Sequence, residues 1–190
     1  MQRNIQDYVL TAKSVIPKKL CNDMIKEINE NKKKWFTHDW TDDNGEKVKS
    51  INENKELDNL YLETENSKKI TSLLWNVIKS YQDNFNYSWF KSWAAYTDVR
   101  FNIYKKNKQM SSHCDHIHSI FDGKRKGVPI LSLLGVLNEN YQGGKFVMFE
   151  NMEFEIKQGD ILVFPSNFLY PHKVEPVTKG TRYSFISWVW

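Results

Sequence analysis

The sequence is poor in cysteine: only Cys21 and Cys114 occur among 190 residues, and neither belongs to a C-x-x-C pair. This scarcity excludes a disulfide framework and favours a reducing compartment. No apolar run approaches the length that spans a membrane, and the first ten residues lack the apolar segment of a signal peptide. We therefore expect a soluble, cytoplasmic protein without a membrane partner.

A strong charge of one sign is also lacking, because 27 Lys and Arg residues stand against 23 Asp and Glu residues, a net charge of +4. The lysines are scattered among acids and form no basic stripe, which disfavours a nucleic-acid partner. Internal repeats and low-complexity segments are absent. The length suits one domain with a sizeable core, and nothing in the sequence indicates the oligomeric state.

Aromatic residues, in contrast, are plentiful at 14%. In residues 1–88, apolar positions at helical spacing predict one helix that begins at Pro17. They predict a second helix that is entered through Asn66 or Ser67 and carries an apolar stripe over residues 70–81. This part of the chain is expected to be a mixed, helical support region.

From residue 89 onwards the pattern changes to short β-branched or aromatic segments separated by turns, which is typical of strands in a sandwich or jelly roll. No stretch between the two parts has the composition of a linker. The sequence thus predicts a single domain over residues 1–190, mainly β, with a jelly-roll core at 89–190 buttressed by the N-terminal helices.

Three potential metal ligands lie in the second part. His113 and Asp115 are two residues apart, so in extended chain their side chains point the same way. His172 follows a buried-type strand and opens the next one. Two histidines and one carboxylate are the ligand set of non-haem Fe(II) oxygenases, which leave the remaining metal positions open.

Arg182 lies ten residues after His172, beyond a turn-like segment. If that segment is a hairpin centred near Val177, Arg182 pairs across the ladder from His172, and Ser184 shares the face of Arg182. A guanidinium beside a hydroxyl suits a carboxylate. Taken alone, His172 is better explained as a core histidine and Arg182 as a structural ion-pair partner. Their order and strand context together favour a functional site.

The second part also resembles a known family, the Fe(II)- and 2-oxoglutarate-dependent dioxygenases, and within it the prolyl 4-hydroxylase-like branch. The resemblance is carried by residues 131–144 (LSLLGVLNENYQGG), 158–165 (QGDILVFP), 171–184 (PHKVEPVTKGTRYS) and the closing Trp188. It implies a cupin-like double-stranded β-helix in which His113, Asp115 and His172 hold Fe(II). It further implies that Arg182, helped by Ser184, binds the distal carboxylate of 2-oxoglutarate, with O₂ as oxidant and ascorbate as an optional cofactor.

Three further residues are predicted to bind the cosubstrate through the same resemblance. Tyr104, nine residues before His113, resembles the family tyrosine that hydrogen-bonds 2-oxoglutarate; a core tyrosine is the alternative. Asn102 lies on the same strand face and could join it. Ser132 matches a position where the family often has a hydroxyl near the cosubstrate, and a structural role is the alternative.

Other residues near these positions have simpler interpretations. His116 and His118 are expected in supporting or surface roles, since imidazoles and a carboxylate without thiolate suit structural zinc poorly. The glycine-flanked segment 121–128 predicts either a mobile flap or an exposed turn. Trp188 and Trp190 are expected to pack the core and the end of the barrel.

The predicted activity is the hydroxylation of a C–H bond in a peptide, with proline favoured by the resemblance, or in a small molecule. One alternative is a nucleic-acid demethylase of the alkylation-repair type, because Asn102-x-Tyr104 resembles that group too. The last strand carries no further arginine after Arg182, which counts against it. The other alternative is a jelly-roll binding module without catalysis, although the complete ligand set disfavours it.

Overall fold

The computed structural model describes residues 3–41, 47–48, 55–86, 93, 95–115 and 129–190. They contain two α-helices, α1 (Lys18–Glu30) and α2 (Glu65–Phe85), two single 3₁₀ turns and fifteen strands. In chain order, the strands are β1 (Leu10–Ala12), β2 (Phe36–Thr37), β3 (Trp40–Thr41), β4 (Lys47–Val48), β5 (Asp58–Tyr61), β6 (Arg100–Tyr104), β7 (Met110–His113), β8 (Leu131–Val136), β9 (Gln142–Gly143), β10 (Phe146–Met148), β11 (Met152–Phe154), β12 (Ile161–Pro165), β13 (His172–Val174), β14 (Val177–Lys179) and β15 (Arg182–Val189). Neither helix is long and apolar enough to cross a membrane.

Helix α1 follows Pro17, whose φ of −55° leads the chain into the first turn. Cys21, Met24 and Ile28 recur at helical spacing and are fully buried. The predicted entry helix is therefore present. Its buried face includes Cys21, which is inert in this setting because burial raises the pKa of its thiol to about 11.

Helix α2 begins earlier than predicted. Its N-cap is Thr64, whose hydroxyl accepts a hydrogen bond from the backbone N–H of Ser67, while the Ser67 hydroxyl accepts one from the N–H of Thr64. The prediction of entry at Asn66 or Ser67 was wrong because this reciprocal cap satisfies the free backbone donors one turn ahead of the apolar stripe. The stripe itself is buried as predicted.

The strands form two principal antiparallel sheets. The larger has seven strands in the order β1-β12-β8-β15-β6-β5-β2, and the smaller has four in the order β11-β10-β13-β7. Two short ladders, β9 with β14 and β3 with β4, and two isolated bridges, Glu56 with Gln109 and Tyr96 with Val189, complete the described pairings. The predicted mainly β fold is confirmed. The N-terminal region, which was expected to be mixed, contributes β1, β2 and β5 to the larger sheet besides its helices.

The two faces of the larger sheet serve two separate cores. On β6, Phe101 and Ile103 pack with α1 and α2 in one apolar cluster. Tyr104 belongs to the second cluster, which joins the larger sheet to the smaller one. Because side chains alternate along a strand, the residues that flank Tyr104 at intervals of two also face the space between the sheets. That space contains the candidate site.

One glycine is required by this packing. Gly135 of β8 pairs with Phe185 of β15, and a Cβ atom at Gly135 would lie 2.1 Å from the Phe185 ring. The aromatic ring therefore occupies the space where any other side chain would begin. The contact joins the two central strands of the larger sheet.

The segment between β13 and β15 is a crossover, and the predicted hairpin between His172 and Arg182 was wrong. Strand β14 lies in this segment and pairs with β9, and the backbone N–H of Asn107 donates to the carbonyl of Val177. These bonds divert the chain from the smaller sheet to the larger one. His172 therefore pairs with His113, whereas Arg182 pairs with Tyr104 in the other sheet.

Candidate metal and cosubstrate site

The three predicted metal ligands lie together at the edge of the smaller sheet. His113 ends β7, His172 begins β13 directly opposite, and Asp115 follows just beyond β7. Nε2 of His113 lies 3.4 Å and Nε2 of His172 lies 3.8 Å from Oδ1 of Asp115. All three potential ligand atoms are within 4.8 Å of one another. We refer to these residues as the triad.

Backbone carbonyls orient both imidazoles of the triad. Nδ1 of His113 lies 2.8 Å from the carbonyl oxygen of Ser111, and Nδ1 of His172 lies 3.1 Å from that of Tyr170. Because a carbonyl only accepts, a neutral ring carries its proton on Nδ1 and presents the Nε2 lone pair toward Asp115. The donor set, two imidazole nitrogens and one carboxylate oxygen, fits Fe(II).

The protonation states also suit a metal. Burial lowers the pKa of His172 to about 4, and the neighbouring His113 adds to this effect. Burial raises the pKa of Asp115, but the two histidines and the Ser132 hydroxyl outweigh it and hold the pKa of that carboxyl well below its usual range. The triad thus offers a carboxylate and, in His172, a neutral imidazole near neutral pH.

Ser132 contacts a residue of the triad, in agreement with the structural role that was one of its two predictions. Its Oγ donates to Oδ2 of Asp115 at 2.5 Å and lies 2.8 Å from Oγ of Ser166, and it is fully buried. The geometry thus favours the structural role, and the cosubstrate contact of Ser132 stays a prediction. Its hydroxyl is used in fixing the carboxylate whose other oxygen faces the histidines.

Arg182 is a buried cation for which the described part of the chain provides no counter-ion. It is 1% exposed, its Nη1 donates to Oγ of Ser184 at 2.8 Å, and its Cζ lies 5.0 Å from the centroid of the Tyr104 ring. Its Nε has no hydrogen-bond partner, and no carboxylate of the described residues forms an ion pair with it. A buried, unpaired charge is costly, so this arrangement fits a ligand that brings a carboxylate.

Tyr104 and Asn102 share the strand face that the sequence predicted. Tyr104 pairs with Arg182 and Asn102 pairs with Ser184 across the β6–β15 ladder, and all four side chains are buried. Burial raises the pKa of Tyr104, and the nearby Arg182 opposes that shift, so the phenol stays protonated. The backbone of Gly144 passes close by: a Cβ there would lie 3.1 Å from Cδ of Arg182.

Two of the residues that line the cavity beside the triad were not predicted to belong to the site. Arg100 lines it from β6, and Trp188 lines it from β15. Trp188 does not only pack the barrel end, as predicted, since the Arg100 guanidinium lies over its ring at 5.0 Å. Strand periodicity could have found both residues: Arg100 precedes Asn102 by two positions, and Trp188 follows Arg182 by six.

An aromatic residue from the N-terminal region also reaches the triad. The ring centroid of Trp40 lies 5.2 Å from that of His113 and 4.8 Å from that of His38. No sequence signal predicted this contact, because it joins distant segments. His116, His118 and the predicted flap at 121–128 lie outside the described residues.

Two facing antiparallel sheets with a His-Asp-His triad between them define the class of the non-haem iron oxygenases with a double-stranded β-helix. Comparison with known proteins agrees. The model of the 2OG-Fe(II) oxygenase superfamily matches residues 99–190, just under half of the chain. The predicted resemblance to Fe(II)- and 2-oxoglutarate-dependent dioxygenases is thus confirmed.

Relatives by sequence are hydroxylases. A PKHD-type hydroxylase of Idiomarina loihiensis is 34% identical over 94 residues, which cover 48% of this chain and 41% of that protein. Another, from Crocosphaera subtropica, is 26% identical over 147 residues, which cover 75% of this chain and 62% of that protein. The chain thus spans less than two thirds of the length of these relatives.

Solved structures with the same fold are prolyl hydroxylases. A prolyl-4-hydroxylase of Pseudomonas putida superposes with a TM-score of 0.70 at 16% identity, over 96% of this chain and 91% of that one. A viral collagen prolyl hydroxylase from Paramecium bursaria Chlorella virus-1 gives 0.69 at 14% identity, over 98% of both chains. At these identities the likeness establishes the fold, including the predicted double-stranded β-helix.

Proposed function

We propose that the chain is an Fe(II)- and 2-oxoglutarate-dependent hydroxylase that acts on a C–H bond. The observation that carries the proposal is the buried guanidinium of Arg182, which has no ion-pair partner among the described residues and lies in the space between the sheets that also contains the triad. A cation in that position needs an anionic ligand, and the triad needs a metal. 2-Oxoglutarate satisfies both, because it has a metal-binding end and a distal carboxylate.

Each side chain then has a defined task. His113, Asp115 and His172 hold Fe(II), and Ser132 and the backbone carbonyls keep these ligands oriented. Arg182 with Ser184 binds the distal carboxylate through charge-assisted hydrogen bonds. Tyr104 and Asn102 form the adjoining wall. When bound, Fe(II) and 2-oxoglutarate activate O₂ for hydroxylation, with release of succinate and CO₂.

The substrate and setting are proposals that rest on weaker support. Peptidyl proline is favoured over a small molecule by the fold neighbours, of which a prolyl hydroxylase from Trichoplax adhaerens was solved in complex with a peptide fragment of hypoxia inducible factor. Ascorbate is proposed as an optional cofactor from the resemblance alone. A cytoplasmic location is supported by the free thiols of Cys21 and Cys114.

A nucleic-acid demethylase is the second candidate, favoured only by the buried Asn102 and Tyr104 on one strand face. The described part of β15 supplies no arginine after Arg182. A binding module without catalysis is disfavoured because all three residues of the triad and Arg182 are present.

The test is 2-oxoglutarate-dependent succinate release by the purified protein with Fe(II) and ascorbate, compared between a proline-rich peptide and alkylated single-stranded DNA. The proposal predicts release that the peptide stimulates and that His172→Ala abolishes. Stimulation by the DNA alone would favour the demethylase. Release no greater than that of His172→Ala, from folded wild-type protein with either substrate, would exclude the hydroxylase.

A further inference from the structure

An arginine other than Arg182 lines the cavity beside the triad. Arg100 begins β6 and lies on the same strand face as Asn102 and Tyr104. Its guanidinium lies over the Trp188 ring, 5.0 Å from Cζ to the centroid, and its Nε donates to Oδ1 of Asn102 at 3.3 Å. These two contacts hold the side chain along the cavity wall.

The hydrogen-bonding capacity of Arg100 is largely unused. A guanidinium has five N–H donors, and within the described chain only the Nε bond to Asn102 is formed. No carboxylate of the described residues forms an ion pair with Arg100. The adjoining Trp188 indole is 5% exposed, and its Nε1 has no hydrogen-bond partner. This end of the cavity thus presents unpaired donors and a positive charge.

The positions of Arg100 and Arg182 on the larger sheet indicate that the two arginines bind different ligands. Trp188, under the guanidinium, pairs across the ladder with Ser132, which is bonded to Asp115. Arg182 instead pairs with Tyr104, four residues further along β6. Four residues of strand correspond to about 13 Å. Arg100 therefore lines the cavity beside the triad, whereas Arg182 lies at the other end of the β6–β15 ladder and does not line that cavity.

The charges present when Fe(II) and 2-oxoglutarate are bound also indicate that Arg100 has a ligand of its own. With the proposed function, the two positive charges of Fe(II) and that of Arg182 are balanced by the two carboxylates of 2-oxoglutarate and that of Asp115. Arg100 is then the charge without a counter-ion. Glu56, a further buried carboxylate, is engaged with the backbone N–H and hydroxyl of Ser111 and does not line the cavity.

We propose that Arg100, held by Asn102 and Trp188, binds a carboxylate of the primary substrate, so that the enzyme hydroxylates an acid. The carboxylate lies close to the C–H bond that reacts, as a free C-terminus or an adjacent acidic side chain. This inference rests on the proposed function and narrows it. The other source of the same chemistry is the metal-binding end of 2-oxoglutarate, and the experiment separates the two.

The experiment uses the protein loaded with Mn(II), which replaces Fe(II) without turnover, and 2-oxoglutarate. Two matched probe pairs are compared: N-acetyl-proline with N-acetyl-prolinamide, and an acetylated Pro-Glu amide with its Pro-Gln counterpart. Binding is measured by the Mn(II)-induced broadening of the probe proton signals in NMR spectra. Affinity for 2-oxoglutarate is measured separately in each variant.

In the wild type, an acid is expected to bind about tenfold or more tightly than its amide, as a charge-assisted hydrogen bond provides. Arg100→Gln should remove that preference, Arg100→Lys should restore part of it, and both should bind 2-oxoglutarate within twofold of the wild type. Arg3→Gln is the matched control, because Arg3 also lies over an aromatic ring, that of Phe85. It should change nothing.

Three results would overturn the proposal. The first is that neither acid binds the wild type more tightly than its amide, which includes the case that no probe binds, and the second is that the preference for the acid persists in Arg100→Gln. The third is that Arg100→Gln loses as much affinity for 2-oxoglutarate as for the acid, which would assign Arg100 to the cosubstrate. Failure of the wild type to bind 2-oxoglutarate at all would instead contradict the proposed function, and this inference with it.

Discussion

His113 and His172 occupy opposed positions on adjacent antiparallel strands, with their ring centroids 4.3 Å apart. Strand register alone thus sets two of the three triad positions, and Asp115 follows from the short segment after β7. Each ring is further fixed through Nδ1 by a backbone carbonyl. The site is therefore organised by the backbone before any metal binds, which is the basis for the predictions below.

Replacing Arg182 by Met should weaken cosubstrate binding without lowering the stability of the ligand-free protein. We expect 2-oxoglutarate binding to weaken by about 30-fold or more, because a buried charge pair is lost. The ligand-free variant should be at least as stable as the wild type, because an unpaired buried charge is removed. Calorimetric titration and thermal unfolding measure the two quantities. A ligand-free variant that is strongly destabilised would show that Arg182 is structural.

Replacing Ser132 by Ala should weaken the metal site without altering the cosubstrate anchor. Loss of the hydrogen bond to Asp115 is expected to lower Fe(II) affinity by about 10- to 100-fold. Ser166→Ala is the control, since Ser166 contacts Ser132 but has no described bond to Asp115. Anaerobic Fe(II) titration measures the metal, and 2-oxoglutarate affinity is measured at saturating metal. A selective loss of 2-oxoglutarate affinity would instead support the cosubstrate contact, the other role predicted for Ser132.

The metal-free protein should lose stability as pH falls from about 6.5 towards 4. Burial lowers the pKa of His172 to about 4 and that of His38 to about 3, where Arg100 and His113 also act on His38. The unfolded chain therefore binds more protons than the folded one in this window, so stability declines as the pH falls.

The decline should be on the order of 1–2 kcal/mol per histidine between about pH 6.5 and 5. Urea unfolding of chelator-treated protein across this range measures it. His38→Gln should flatten the dependence. A free energy of unfolding that stays constant between these pH values would contradict the buried, neutral state of both rings.

Gly135→Ala should destabilise the fold by about 1–3 kcal/mol, because its Cβ would overlap the Phe185 ring and force the central strands apart. Urea unfolding measures the loss. Combining it with Phe185→Leu, which removes the clashing atoms, should give less destabilisation than the sum of the single changes. Additive losses would show that the two residues do not share this space.

Much of the site was predictable from the sequence because it depends on strand periodicity and on motif order. The i, i+2 relation of His113 and Asp115 and that of Arg182 and Ser184 are both local, and both pairs lie together as predicted. The metal and cosubstrate roles of these residues remain proposals. The family and the fold, in contrast, are confirmed by comparison.

What the sequence could not supply was the choice of partner across each ladder. The segment before Arg182 has a composition typical of a hairpin turn, yet it pairs with β9, more than thirty positions earlier in the chain, and carries Arg182 into the other sheet. The bond from Ser132 to Asp115 likewise joins β8 of the larger sheet to the segment just after β7 of the smaller one. Strand periodicity predicts which face of the sheet a side chain occupies, but it does not predict which strand pairs with it. The single-domain assignment, the cytoplasmic location and the role of ascorbate stay predictions.

The most direct test of the central claim, that the triad and Arg182 together bind Fe(II) and 2-oxoglutarate, is anaerobic titration of the purified protein with both. The wild type is predicted to develop the weak visible metal-to-ligand charge-transfer band of the ternary complex. His172→Ala should give none, and Arg182→Met should require far more 2-oxoglutarate. A folded wild-type protein that shows no band at saturating Fe(II) and 2-oxoglutarate would contradict the claim.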